Sequence, residues 1–100
     1  GLIIKIPTAY EEQTSKVESA LKEIVEKTKL IPGVFKDSKY LGIDSFGDSA
    51  INYAIIIYCK SSDQWNVKRE VHKLIKESYE EKNIKIPYNQ IEVHNGKEII

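Results

Sequence analysis

One hundred residues, 41% hydrophobic and 30% charged, suffice for one domain around a single core. The 15 basic and 15 acidic side chains cancel, so no net field draws the chain to nucleic acid or an anionic membrane. The single cysteine, Cys59, excludes an internal disulfide framework and suits a reducing compartment.

The first predicted element is a strand, in which Leu2, Ile4 and Ile6 alternate with Ile3, Lys5 and Pro7. Pro7 has no amide hydrogen to donate, which places this strand at an edge or ends it there. Val17, Ala20, Leu21, Ile24 and Val25 then recur at the spacing of one helix face, and predict a helix over about 12–29. Ser15 with Glu18 and Thr8 with Glu11 are equal matches to a capping box. Ile31-Pro32-Gly33 stops the helix. Lys39 to Phe46 reads as a second strand with a weak point at Gly42, and Gly47-Asp48 supplies a turn. Ala50 to Lys60, rich in Ile and Tyr, is the clearest strand. Ile51, Tyr53, Ile55, Ile57 and Cys59 share one face; Asn52, Ala54, Ile56, Tyr58 and Lys60 share the other. The middle of that second face is apolar, as expected of a sheet whose far side meets something else. Its run from Ala54 to Cys59 is the longest apolar stretch of the chain, well below the ~20 residues of a membrane helix. Ser61 with Gln64 has capping-box spacing and opens a second helix carrying Val67, Val71, Leu74, Ile75 and Tyr79, with Asn83 as its C-terminal cap. Ile84 to His94 is extended and broken by Pro87; Asn95-Gly96 turns, and Ile99-Ile100 close an apolar tail.

The order β-α-β-β-α-β, with short connections and right-handed crossovers, predicts an α+β fold. Its expected form is a ferredoxin-like four-stranded antiparallel sheet with both helices on one face. The expected domain spans 1–96, with 97–100 as a tail.

No constellation of residues points to catalysis. Gly42 to Ser49 has the glycine spacing of a phosphate loop, but Asp48 stands at the lysine position and a strand follows where a helix is needed. A Gly-Asp hairpin turn is the better reading. His72 and His94 lack metal-ligand spacing to any other histidine or to Cys59, so neither a metal nor a cofactor is expected. Cys59 alternates with apolar residues and reads as a small core hydrophobe. Glu11-Glu12 and Glu80-Glu81 are adjacent helical pairs that do not face each other. Lysines and tyrosines flank the central strands, yet the lysine-glycine-aromatic signature of an RNA-recognition sheet is missing, and no nucleic-acid partner is expected. Trp65, in the first turn of the second helix, reads equally as an aromatic packed on the sheet end or as an interface anchor.

The order of residue types from Gly47 to His94 closely resembles the cytoplasmic C-terminal domain of small-conductance mechanosensitive (MscS-type) channels. The resemblance rests on the Gly47-Asp48-Ser49 turn, the strand Ile51 to Lys60, Trp65 with Val67, and the bend Ile86-Pro87-Tyr88-Asn89-Gln90 leading to Val93-His94. Tyr10 followed by Lys16-Val17, and Ile31-Pro32-Gly33-Val34, extend it over nearly the whole chain. Asn89 stands in place of the family's second proline, and Ser38-Lys39-Tyr40 where the family often has proline.

The resemblance implies a non-enzymatic role in assembly and filtering. The domain would form the lower wall of a sevenfold cage beneath a pore in the cell inner membrane, with ions and small solutes passing between subunits. Ile99 and Ile100 would begin a barrel strand at the cage base. Ala54, Ile56, Tyr58, Trp65, Ile99 and Ile100 are the candidate subunit interface. The start at Gly1 and the lack of methionine suggest a piece of a longer protein, and nothing at the start reads as a secretory leader. The competing reading is a stand-alone ferredoxin-like module that binds small molecules. An acylphosphatase-type enzyme needs an arginine in a phosphate-cradling loop, and the single arginine, Arg69, lies inside the second helix.

Overall fold

Alternation sets the sheet. In the computed structural model, which describes residues 1–87, β1 (Leu2–Thr8) buries Ile4, Ile6 and Thr8 and turns Ile3, Lys5 and Pro7 outward. Helix α1 (Thr14–Thr28) follows, then β2 (Lys39–Phe46), β3 (Ile51–Ile57), a 3-10 turn (Ser61–Asp63) and α2 (Gln64–Lys82). β3 lies between β1 and β2 and is antiparallel to both, with Ile4 opposite Ile55 and Ile6 opposite Tyr53. β1 and β2 are therefore parallel, joined by the crossover through α1.

Both helices pack on the same side of this sheet. Ile4 and Ile6 of β1, and Tyr53, Ile55 and Ile57 of β3, form one cluster with Val17, Leu21 and Ile24 of α1 and Val67, Val71 and Ile75 of α2. Val17, Leu21, Ile24, Val67 and Val71 are 0% exposed. Side chains of this kind contribute about 1.5–3 kcal/mol each when fully buried. The two predicted faces of β3 are the two observed faces.

Each helix ends where its sequence says it should, but neither begins as the capping boxes predict. Gln13 precedes α1 and Asp63 precedes α2, and neither makes a side-chain capping bond. Thr8 still belongs to β1, and its hydroxyl bonds the Ile6 carbonyl and the Tyr79 hydroxyl instead. Ser15 already lies within α1. Ser61 starts the 3-10 turn, closed by the Asp63 amide donating to Lys60 O at 3.0 Å. The Asp63 carboxylate leans over Gly33: a Cβ there would lie 2.5 Å from Oδ2, and Gly33 holds φ +94°.

At the far end of α2, Asn83 adopts the left-handed conformation (φ 58°), and the Ile84 amide reaches back to Tyr79 O at 2.8 Å while the Asn83 amide reaches Glu80 O. This is a Schellman stop, completed by Ile84 burying its side chain in the core.

Two further differences from the sequence reading have local causes. β3 stops at Ile57 and not at Lys60 because residues beyond it pair with a loop: the Phe35 amide donates to Tyr58 O at 2.8 Å, and Val34 bridges Cys59. β2 carries register shifts between Tyr40 and Gly42 and between Ile43 and Ser45, and Gly42, at φ +116°, accommodates the first. The described sheet has three strands. Most of the expected fourth, Ile84 to His94, lies outside the described residues, as does the 97–100 tail.

Candidate functional site

Among the described residues, the surfaces this packing leaves open include the outer edge of β1, the sheet face away from the helices, and the solvent side of α2. Residues 83–85 are held at the first of these. The Ala9 amide donates to Lys85 O at 3.0 Å, the Lys85 amide to Glu12 Oε2 at 2.9 Å, and Lys16 Nζ approaches Asn83 O at 3.5 Å. The chain therefore leaves α2 alongside the end of β1. A shallow groove runs between the β1 edge and α2, lined by Ile4, Ile6, His72, Ile75 and Ile86. Ile86 is 44% exposed at its rim and Pro87 is half-buried. Tyr88 and Gln90, the rest of the bend motif, lie outside the described residues.

A buried hydroxyl pair anchors the same corner. Thr8 Oγ1 and Tyr79 Oη are 2.9 Å apart and join β1 to the last turns of α2. Burial pushes the Tyr79 phenol up to about 12, against the opposing effect of the Thr8 bond. Tyr40 is likewise raised by burial and by donating to Glu18 Oε2 at 2.7 Å. Neither is poised to exchange a proton near neutrality. Lys82 and Glu23, 2.7 Å apart, tie α2 to α1 at the surface; the contact lowers the carboxyl pKa and raises the ammonium pKa.

The outer sheet face gathers the candidate interface residues Ala54 and Ile56 of β3, with Tyr58 just past its end. Ile3 lies opposite Ile56, and Lys5 opposite Ala54. Ile3 is 59% exposed, and Ile56 and Tyr58 are partly exposed. Ala54 is only 4% exposed, although it points away from the helices. Its cross-strand neighbours explain this: Lys5 Nζ reaches Asp44 Oδ2 on β2 at 3.4 Å, and that bridge spans the middle strand where Ala54 sits. The area available for contact comes from Ile3, Ile56 and Tyr58, with Ala54 as floor.

Gly47, Asp48 and Ser49 form the link between the antiparallel strands β2 and β3, with the Gly47 amide donating to Ala50 O at 2.7 Å. A Cβ at Gly47 would lie 3.2 Å from that same oxygen. The Tyr10 hydroxyl donates to Gly47 O and so ties the turn to the end of β1. The segment leads into a strand and not into a helix N-terminus, so it has no phosphate-loop geometry. Asp48 and Ser49 are exposed.

Trp65 is 70% exposed, so it does not pack on the sheet end. Its ring instead carries the Lys68 ammonium 5.7 Å from its centroid. Sequence reasoning missed a second exposed apolar residue nearby in the fold, Leu30, which is 83% exposed just past the end of α1. Its place directly before Ile31-Pro32-Gly33 was the available signal, because a residue there has left the helix face. Among the described residues no group of three or more His, Cys, Asp or Glu side chains is arranged to hold a metal ion, and no helix is long and apolar enough to cross a membrane.

Comparison with known proteins gives the same direction. The family model described as the C-terminal domain of the mechanosensitive ion channel MscS matches residues 2–86. An MscS family protein of Synechocystis is 28% identical over 89 residues, covering 89% of this chain and 29% of that protein. The small-conductance mechanosensitive channel of Helicobacter pylori is 26% identical over 85 residues, covering 84% of this chain and 30% of that protein. The crystal structure of Helicobacter pylori MscS in its closed state superposes with a TM-score of 0.75 at 24% identity, covering 88% of this chain and 34% of that one. The chain thus spans about a third of the length of these relatives. With the family model matched from Leu2 to Ile86, this chain belongs to the MscS family of mechanosensitive channels and carries its C-terminal domain.

Proposed function

We propose that this domain is part of the cytoplasmic cage of a mechanosensitive ion channel, where it supports subunit assembly and filters ions and small solutes beneath the pore. The parent protein would sit in the cell inner membrane as a heptamer, with this domain on the cytoplasmic side. The observation that carries the reading is the match of the MscS C-terminal family model to residues 2–86. The outer sheet face supports it, since exposed Ile3 with partly exposed Ile56 and Tyr58 is apolar surface that the described residues leave open.

The same reading completes the fold. Residues 88–94 would add a fourth strand to the outer edge of β1 and give the ferredoxin-like order. The Ala9–Lys85 bond and the Ile86-lined groove beside that edge support this arrangement. The domain would then run over 1–96, with Ile99 and Ile100 starting a barrel strand shared between copies. The turn Gly47-Asp48-Ser49 and the bend Ile86-Pro87-Tyr88-Gln90 would be shape determinants, and Ile56, Tyr58 and Trp65 contact residues.

The test is electrical. Membrane patches carrying the full-length parent should pass current when suction is applied, and the purified parent should have the mass of seven subunits. A parent that lacks membrane-spanning segments, or that stays silent under tension up to patch rupture, would overturn the proposal.

A further inference from the structure

The chain leaves α2 between a pinned residue and a gripped one. Ile84 is 5% exposed and its amide bonds Tyr79 O, so the stop of α2 is fixed to the core. At the next residue one loop holds the backbone from both sides. The Lys85 carbonyl accepts from the Ala9 amide at 3.0 Å, and the Lys85 amide donates to Glu12 Oε2 at 2.9 Å. Ala9 and Glu12 are the two ends of one turn, closed by the Glu12 amide donating to Ala9 O at 3.1 Å. That turn follows directly on β1, so the grip is referenced to the sheet.

Glu12 is placed for this contact rather than for solvent. Its side chain is only 12% exposed, whereas its neighbour Glu11 is exposed. The Lys16 ammonium stands 3.9 Å from Glu12 Oε1 and 3.5 Å from the Asn83 carbonyl, at the margin of an ion pair, so the short contact of the carboxylate is the Lys85 amide. A bond from a backbone amide to an ionised carboxylate is about twice as strong as a neutral one. Such a bond matters here because Pro7 in β1 and Pro87 beyond Ile86 have no amide hydrogen, so neither can donate across the seam where the chain passes β1.

We propose that the Ala9–Glu12 turn is a clasp on Lys85, and that Glu12 is the positioning residue that sets the direction in which the chain leaves α2. Ile84 is the fixed side of the hinge and Lys85 the held side. Opening the clasp frees the chain from Lys85 onward and leaves both helices and the three strands in place. The device belongs to the fold and stands independently of the channel reading.

The full chain carrying Glu12→Ala, Glu12→Gln or Glu11→Ala tests it. The readouts are amide hydrogen exchange and limited digestion with trypsin, which has a site at the Lys85–Ile86 bond. Glu12→Ala should speed exchange of the Lys85 amide, and cleavage after Lys85, by about 10- to 100-fold. The Ile84 amide and the amides of β3 should keep their protection. Glu12→Gln retains an oxygen acceptor, so its rates should fall between those of the wild type and Glu12→Ala. Glu11→Ala removes the same charge beside the start of α1 without touching Lys85, and should change nothing.

A Lys85 amide that exchanges no faster in Glu12→Ala would overturn the clasp. An equal rise at Ile84 and in β3, or loss of the folded state, would overturn it too, because Glu12 would then support the whole core and not the exit of the chain. An effect of Glu11→Ala as large as that of Glu12→Ala would assign the role to charge near α1 and overturn the contact with Lys85 as its cause.

Discussion

Removing the hydroxyl of Tyr79 should cost little, and removing that of Thr8 more. The two oxygens are 2.9 Å apart, and both residues are nearly inaccessible, Thr8 at 0% and Tyr79 at 2% exposure. In Tyr79→Phe, the Thr8 hydroxyl keeps a second partner, the Ile6 carbonyl at 3.3 Å. The loss is that of one ordinary hydrogen bond, about 1 kcal/mol. In Thr8→Val, the Tyr79 hydroxyl loses its one partner among the described residues and stays buried. The cost of such an orphaned group is about 1–3 kcal/mol. The double variant removes donor and acceptor together, so its cost should fall below the sum of the singles by about 1 kcal/mol. In urea titrations followed by circular dichroism, with a slope of about 1.5 kcal/mol/M, the midpoint should drop by roughly 0.7 M in Tyr79→Phe and about 1.3 M in Thr8→Val. Costs that simply add in the double variant would refute the reasoning, because they would show that the hydroxyls do not act as a pair.

Alkaline stability should fall through the same residue. The folded phenol of Tyr79 stands at about 12 against an ordinary value near 10, so the unfolded chain gives up its proton first as pH rises. Its contribution is whole below about pH 10 and is lost by about pH 12, a change of roughly 2–3 kcal/mol that Tyr79→Phe should lack. Tyr40, raised for similar reasons, leaves a remaining slope of the same sign. At Asn83, held at φ 58°, Asn83→Ala should lower stability by about 1 kcal/mol, whereas Asn83→Gly should be neutral or better in the same urea assay. Gly33→Ala should cost about 1–2 kcal/mol, since φ is +94° and the new methyl meets the Asp63 carboxylate. Adding Asp63→Ala should recover the steric part and leave the backbone part, as read by the midpoint of thermal unfolding.

Much of this was legible in the sequence, and the failures have physical causes. Periodicity alone delivers the faces of β1 and β3, because burial on one side enforces the two-residue repeat. The end of α2 follows from Asn83, one of the few non-glycine residues that tolerates the left-handed region. β2 resists reading: two register shifts change which side its residues take, and only Gly42 hints at them. Helix starts were misread because Thr8 and Ser61 match a local pattern while tertiary partners and a 3-10 turn claim them. Trp65 could not be assigned from spacing, since a side chain in the first turn after such a turn can face either way. The burial of Ala54 depends on Lys5 and Asp44, residues about ten and fifty positions distant, meeting across the sheet.

The two neighbours Ile55 and Ile56 offer a test of whether the outer face is free for a contact beyond folding. They are consecutive in β3, of the same type, and on opposite sides of the sheet. Ile55 is 0% exposed among both helices, so Ile55→Lys would bury an unpaired ammonium and should leave no folded protein. Ile56 is partly exposed and has Ile3 and Lys39 as its cross-strand neighbours, so Ile56→Lys should cost less than about 1 kcal/mol in the isolated chain. Circular dichroism and urea midpoints would separate the two outcomes. If Ile56→Lys proves as damaging as Ile55→Lys, the outer face is part of the chain's own core and its apolar residues need no partner. If it proves mild, the outer face is free to meet another surface, and the same variant should then weaken the proposed contact in the assembled parent.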